Sequence, residues 1–236
     1  MPTRPAVADD RRGPLGRFFA APVTDVLEAL DNCLEAGIRG LPLALVGLVI
    51  GWWVYVPLHE LLHALACLAA GGEVTRLEIA PLYGGALLAQ IFPFVVAGGE
   101  YAGRLSGFDT YGNDLIYLVT DFGPYLLTLF PGVWALRLAG RRQQPVAFGF
   151  WLPFALAPFV SLTGDAYEIG SILVTNLPPW SDVETLRSDD LFLLVESLAE
   201  QAAPPWGGVT LAVLLGALWA FATYAAGRWI AVAVSR

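Results

Sequence analysis

The chain of 236 residues has no lysine, so its thirteen basic residues are all arginine, and it has only two histidines and two cysteines. The arginines are scattered and the net charge is -8. A phosphate-binding surface needs clustered cations, which excludes nucleic acid as a partner. Cys33 lies in an amphipathic segment and Cys67 in an apolar one, so they supply no disulfide framework. The first forty residues carry charges throughout and lack the apolar core of about 7 to 15 residues that a signal peptide needs. Charge itself is scarce: 14% of residues are charged against 56% hydrophobic, with a mean hydropathy of +0.61. Long uncharged runs of this kind predict an integral, multi-pass membrane protein whose surroundings are the lipid bilayer.

What is present is organised around four long apolar segments, 41–70, 113–138, 146–176 and 209–234. At 1.5 Å per residue the first reaches about 45 Å against roughly 30 Å of hydrocarbon, so it tilts, kinks near Pro57 or protrudes. The expected fold is an all-α membrane protein of about four transmembrane helices, with a small re-entrant β-hairpin after the histidine-bearing helix. Residues 1–40 read as a Pro- and Arg-rich tail over 1–20 followed by an interfacial amphipathic helix. Its apolar stripe is Val26, Leu30, Cys33 and Leu34, with Asp25, Glu28, Asp31 and Glu35 off the stripe. The alternation from Val74 to Ile79 predicts a strand, and turn residues Gly84 and Gly85 lead it into a hairpin over 73–97. The apolar run 86–97 is too short, and too interrupted by Pro93, to cross alone.

Residues 177–208 read as an extramembrane loop with an amphipathic helix along Leu191, Leu194, Val195 and Leu198, capped at Ser188-Asp189-Asp190. Residues 209–236 form a C-terminal transmembrane helix. Three arginines at 137–142 and four in the N-terminal tail, against Arg187 alone in 178–208, place both termini on the cytoplasmic side.

Both histidines fall within five residues, His59-Glu60-Leu61-Leu62-His63, inside one of the most apolar segments. With two His and ten Glu in the chain, chance produces this pattern with an expected count on the order of 10⁻³. On a helix the two imidazoles are one turn and about 40° apart, so they can converge on one ion. Glu60 is rotated to the side, where a zinc peptidase keeps its general base. Cys67 lies about 12 Å further along the axis than His59, too far to complete the site. A catalytic zinc takes three protein ligands, and with no further histidine the third must be a carboxylate. The candidates within the spans are Asp114, Asp121, Asp165 and Glu168. Asp121 precedes a helix break at Phe122-Gly123-Pro124, where its expected role is to satisfy freed backbone donors.

The stretches HELLHALACLAAGG and GGEVTRLEIAPLYGG, then DFGPYLLTLF in the next span and LTGDAYEIGSIL in the one after, resemble the site-2 protease family of intramembrane zinc metalloproteases. The resemblance covers about 41–176, which would be the metalloprotease core. The family's Leu-Asp-Gly stands here as Thr163-Gly164-Asp165-Ala166. The resemblance implies one Zn2+ per chain, held by His59, His63 and Asp165, with Glu60 as catalytic base. It leaves Glu168 and Asp121 as supporting groups or alternative ligands. It also implies a membrane-embedded protein substrate, received on the hairpin along Thr75, Leu77 and Ile79, and a bacterial or archaeal cell membrane. Two other readings accompany it: a membrane zinc peptidase whose third ligand is Glu168, and a metal-binding membrane scaffold without turnover.

Overall fold

The computed structural model describes residues 13–35, 37–181, 183–188 and 190–235. Hydrocarbon surroundings offer no partner for a bare backbone amide, so apolar runs satisfy their own hydrogen bonds as helices. Among the described residues, three helical stretches are long and apolar enough to cross a membrane: α2 (Gly40–Ala69), Asp114–Arg141, and α10 (Trp206–Val234). Their outer faces carry exposed large apolar side chains, among them Val49, Leu115, Leu214 and Trp229, a surface that suits lipid. The middle stretch is interrupted. α4 (Asp114–Phe122) tightens at Gly123-Pro124, passes through a wide turn over Thr128–Gly132 in which Phe130 is extended, and resumes as α5 (Val133–Arg141). Pro124 and Pro131 each remove a helical donor there.

The segment expected as a fourth continuous span, 146–176, divides instead into three helices. These are α6 (Pro145–Ala155), the single turn α7 (Ala157–Val160) and α8 (Asp165–Val174). Pro158 has no N–H to give the Phe154 carbonyl, which accepts from the Thr128 hydroxyl instead at 2.9 Å. The chain turns again over 161–164 before α8 begins. Asp165 therefore opens a helix and does not lie in the middle of one. Close packing joins the pieces. A Cβ on Gly51 would overlap the backbone of Phe150, one on Gly149 that of Ala44, and one on Gly170 that of Ala212. These glycines let α2 approach α6, and α8 approach α10, backbone to backbone.

The first helix is longer than the sequence suggests. α1 (Pro14–Leu34) starts with Pro14 in its first turn, where a missing N–H costs nothing, and so takes in the second part of the expected tail. Residues 1–12 lie outside the described residues. Val26, Leu30 and Cys33 pack on the bundle, and Ala29 seats on Gly140. Asp25 departs from the expected polar side. It is 5% exposed and takes contacts from Arg137, Arg228 and Tyr224, each at 3.2 Å from Oδ2.

Between α2 and α4 lies a three-stranded sheet of order β2-β1-β3, formed by β1 (Glu73–Ile79), β2 (Val95–Ala97) and β3 (Gly103–Asp109). The simple hairpin expected over 73–97 is replaced. After β1 the chain turns at Gly84, whose φ of 81° suits glycine, into the short α3 (Gly85–Leu88). It then returns as β2, parallel to β1, and β3 provides the antiparallel partner. Leu77 and Ile79 are fully buried, in one cluster with Leu61 and Ala64 of α2.

The expected amphipathic helix of 177–208 is α9 (Leu191–Ala199), capped by the Asp190 side chain, which accepts from the Phe192 and Leu193 amides. Asp189, the middle residue of the expected cap, lies outside the described residues. The helix packs closely on the bundle. Leu194 and Leu198 join Tyr167 and Val209 in one cluster. The Leu191 N–H donates to the Thr163 carbonyl at 3.0 Å, and the Tyr167 hydroxyl donates to the Leu186 carbonyl at 2.9 Å.

Candidate metal centre

α2 carries His59 and His63 on one face, both 8% exposed. The break before α8 brings Asp165 against them. His59 Nε2 lies 3.2 Å from Asp165 Oδ2, His63 Nε2 lies 3.5 Å from Asp165 Oδ1, and the two Nε2 atoms are 3.2 Å apart. Among the described residues these three form the one His/Cys/Asp/Glu group whose ligand atoms all lie within 4.8 Å of one another.

The donor chemistry fits zinc. Bonds of about 2.0–2.2 Å at a tetrahedral angle place donor atoms roughly 3.3 Å apart; the two Nε2 atoms are 3.2 Å apart, and the two Asp165 oxygens face one ring each, Oδ2 at 3.2 Å from His59 and Oδ1 at 3.5 Å from His63. The outer nitrogens are already engaged. His63 Nδ1 pairs with the Thr120 carbonyl at 2.9 Å, which can only accept, so Nδ1 carries a proton and Nε2 is the nitrogen that faces inward. His59 Nδ1 pairs with the Tyr55 hydroxyl at 2.8 Å. Asp165 Oδ2 is buried and receives no hydrogen bond among the described residues. A buried carboxylate oxygen beside two ring nitrogens is stabilised by positive charge between them, which a metal ion or a ring proton can supply.

The cluster lies at the wall of a cleft of ≈ 590 Å³. Glu60 and His63 line it from α2, Tyr117, Thr120 and Asp121 from α4, Asp165 and Glu168 from α8, and residues of β3 from the sheet. Arg187 and Leu193 line it as well. Glu60 packs against Gly103, the first residue of β3: a Cβ there would overlap its Cγ. Glu168 and Asp121 share the cleft but stand outside the converging group. Glu168 instead accepts a hydrogen bond from the Tyr117 hydroxyl, one turn before Thr120 on α4. Asp114, the remaining carboxylate candidate, is taken by Arg187, whose Nη1 lies 2.7 Å from Oδ1.

The expected substrate edge does not lie where the resemblance placed it. Leu77 and Ile79 belong to the central strand, paired with β3 on one side and β2 on the other, and their side chains are core. Thr75 is exposed at the irregularity between the Val74 and Arg76 pairings. An incoming strand finds no free edge at Leu77 or Ile79. The strand that borders the cleft is β3.

Sequence reasoning missed four contributors: Tyr55, the Thr120 carbonyl, Tyr117 and β3. Tyr55 stands one helical turn before His59, a spacing visible in the sequence. A backbone carbonyl leaves no such trace. β3 reads Gly-Arg-Leu-Ser-Gly-Phe-Asp, and its glycines and terminal Asp are poor strand formers, so propensity hides it. No family model matches the chain, and no curated protein or solved structure matches it.

Proposed function

We propose that the chain is an intramembrane zinc endopeptidase of the site-2 protease type, which cuts membrane-embedded protein substrates. The observation that carries the reading is the convergence of His59, His63 and Asp165, whose ligand atoms all lie within 4.8 Å of one another, at a cleft that Glu60 also lines. A zinc ion held by those three residues would supply a Lewis acid.

The chain's own residues do the rest. Glu60, the only acidic residue of α2, takes a proton from a water molecule in the cleft as that water adds to the peptide carbonyl. It then delivers the proton to the amide nitrogen as the C–N bond breaks. A substrate helix must unwind to expose its bond, and the bordering strand β3 offers main-chain donors and acceptors to the unwound segment, offsetting the cost of bare amides in the membrane. Together α6, α7 and α8 make the fourth crossing in this reading, so that both termini share one side.

The test compares membrane proteomes of cells carrying the wild type and Glu60→Gln. The amide keeps the helix and the histidines but cannot accept the water's proton. Intact single-span proteins should accumulate in the mutant. Identical proteomes, with zinc retained in both, would replace the peptidase with a metal-binding membrane scaffold.

A further inference from the structure

The two histidines of the centre are held from behind by different chemistry. The outer nitrogen of His63 faces a backbone carbonyl, an acceptor that persists in every substitution. That of His59 faces the hydroxyl of Tyr55 at 2.8 Å, a side-chain group one turn earlier on the same helix. Tyr55 is 3% exposed, and its ring is fixed by Trp52 at 5.6 Å and edge-on by Phe154 at 5.6 Å. A phenol so enclosed has little freedom to turn to another partner.

We propose that Tyr55 is the positioning residue of the metal centre: its hydroxyl, packed behind His59, holds the ring with Nε2 toward Asp165 and His63, and when Nε2 is bound its oxygen accepts the Nδ1–H. Tyr55 has this role only if the three residues hold a metal, as the reading above has it. A metal-bound His59 must carry its proton on Nδ1, and without a partner behind it that buried Nδ1–H is left unsatisfied and the ring loses the contact that orients it. His63 has no such dependence, because Thr120 supplies its acceptor from the main chain. The site is thus asymmetric: one ligand is oriented by the backbone and the other by a single removable hydroxyl.

Partners behind metal-bound histidines typically contribute about 10- to 100-fold in metal affinity. The test uses the purified full chain in detergent with zinc alone, titrated against a fluorescent chelator. It compares the wild type, Tyr55→Phe and Tyr125→Phe. Tyr125 is an equally buried control whose hydroxyl faces Ser161 Oγ at 3.4 Å. Tyr55→Phe should bind zinc about 10- to 100-fold more weakly and Tyr125→Phe as the wild type does. With cobalt(II) in place of zinc, the d–d bands, which report donor geometry, should shift only in Tyr55→Phe. Unchanged affinity in Tyr55→Phe, or an equal loss in both variants, overturns the assignment of Tyr55. A wild type that binds no zinc overturns the metal centre itself, and the role of Tyr55 with it.

Discussion

Gly103 lies so close to Glu60 that a methyl group on it would overlap the Glu60 Cγ and come within 3.0 Å of Cδ. The first residue of β3 thus sets where the proposed base can stand. Gly103→Ala should push the carboxylate aside or lift β3 from α2. A displacement of about 1 Å costs on the order of 10²-fold in rate. Cleavage should therefore fall by about that factor while bound zinc, measured by atomic emission, stays at the wild-type level. Wild-type turnover in Gly103→Ala would show that the Glu60 position is not critical.

Asp165 and Glu168 are one turn apart on α8, but only Asp165 joins the histidines within ligand distance. Loss of a ligand removes most of the affinity, whereas loss of a supporting group costs about 10- to 100-fold. Purified Asp165→Ala should lose zinc as completely as His63→Ala does. Glu168→Ala and Asp121→Ala should stay loaded at saturating metal. An empty Glu168→Ala beside a loaded Asp165→Ala would make Glu168 the ligand.

Asp25 ties α1 to α5 and α10 through Arg137, Arg228 and Tyr224. Replacing it with Ala leaves two guanidiniums facing each other around an empty position. Breaking a buried ion pair costs about 3–5 kcal/mol. The lower end applies here, because the Arg228 side chain is 37% exposed. Thermal unfolding in detergent should show the loss. Zinc stoichiometry should stay unchanged, because none of these three partners belongs to the metal centre.

Stripping the metal should also lower stability. A ligand that binds only the folded state at about 100 times its dissociation constant contributes about 2.7 kcal/mol. Chelation should lower the melting temperature of the wild type, and added zinc should restore it. His63→Ala should melt alike with and without chelator. A chelator effect of equal size in both would place the responsive metal elsewhere.

The helices are legible where composition alone compels them. The runs containing α2 and α10 are long and apolar, and a helix satisfies their amides in hydrocarbon without help from a neighbour. The two histidines and Glu60 are legible for a related reason: a helix places residues three and four apart on one face whatever surrounds it. α1 is harder, because Pro14 and Pro22 read as breakers although the first costs nothing in an opening turn. Asp25 is misplaced because helical periodicity separates polar from apolar faces but cannot see arginines from two other helices arriving on the apolar side.

By itself the sequence determined the apolar helices and the placing of His59 and His63 on one helical face. Both follow from composition or from spacing within one helix. Only the tertiary structure decided that the segment expected as one span breaks before Asp165, that β3 and not β1 borders the cleft, and that Tyr55 and the Thr120 carbonyl stand behind the histidines. Those relations depend on where separate elements pack and on how two rings turn. Helical period and hydropathy carry no information about either, because each describes a segment without its neighbours.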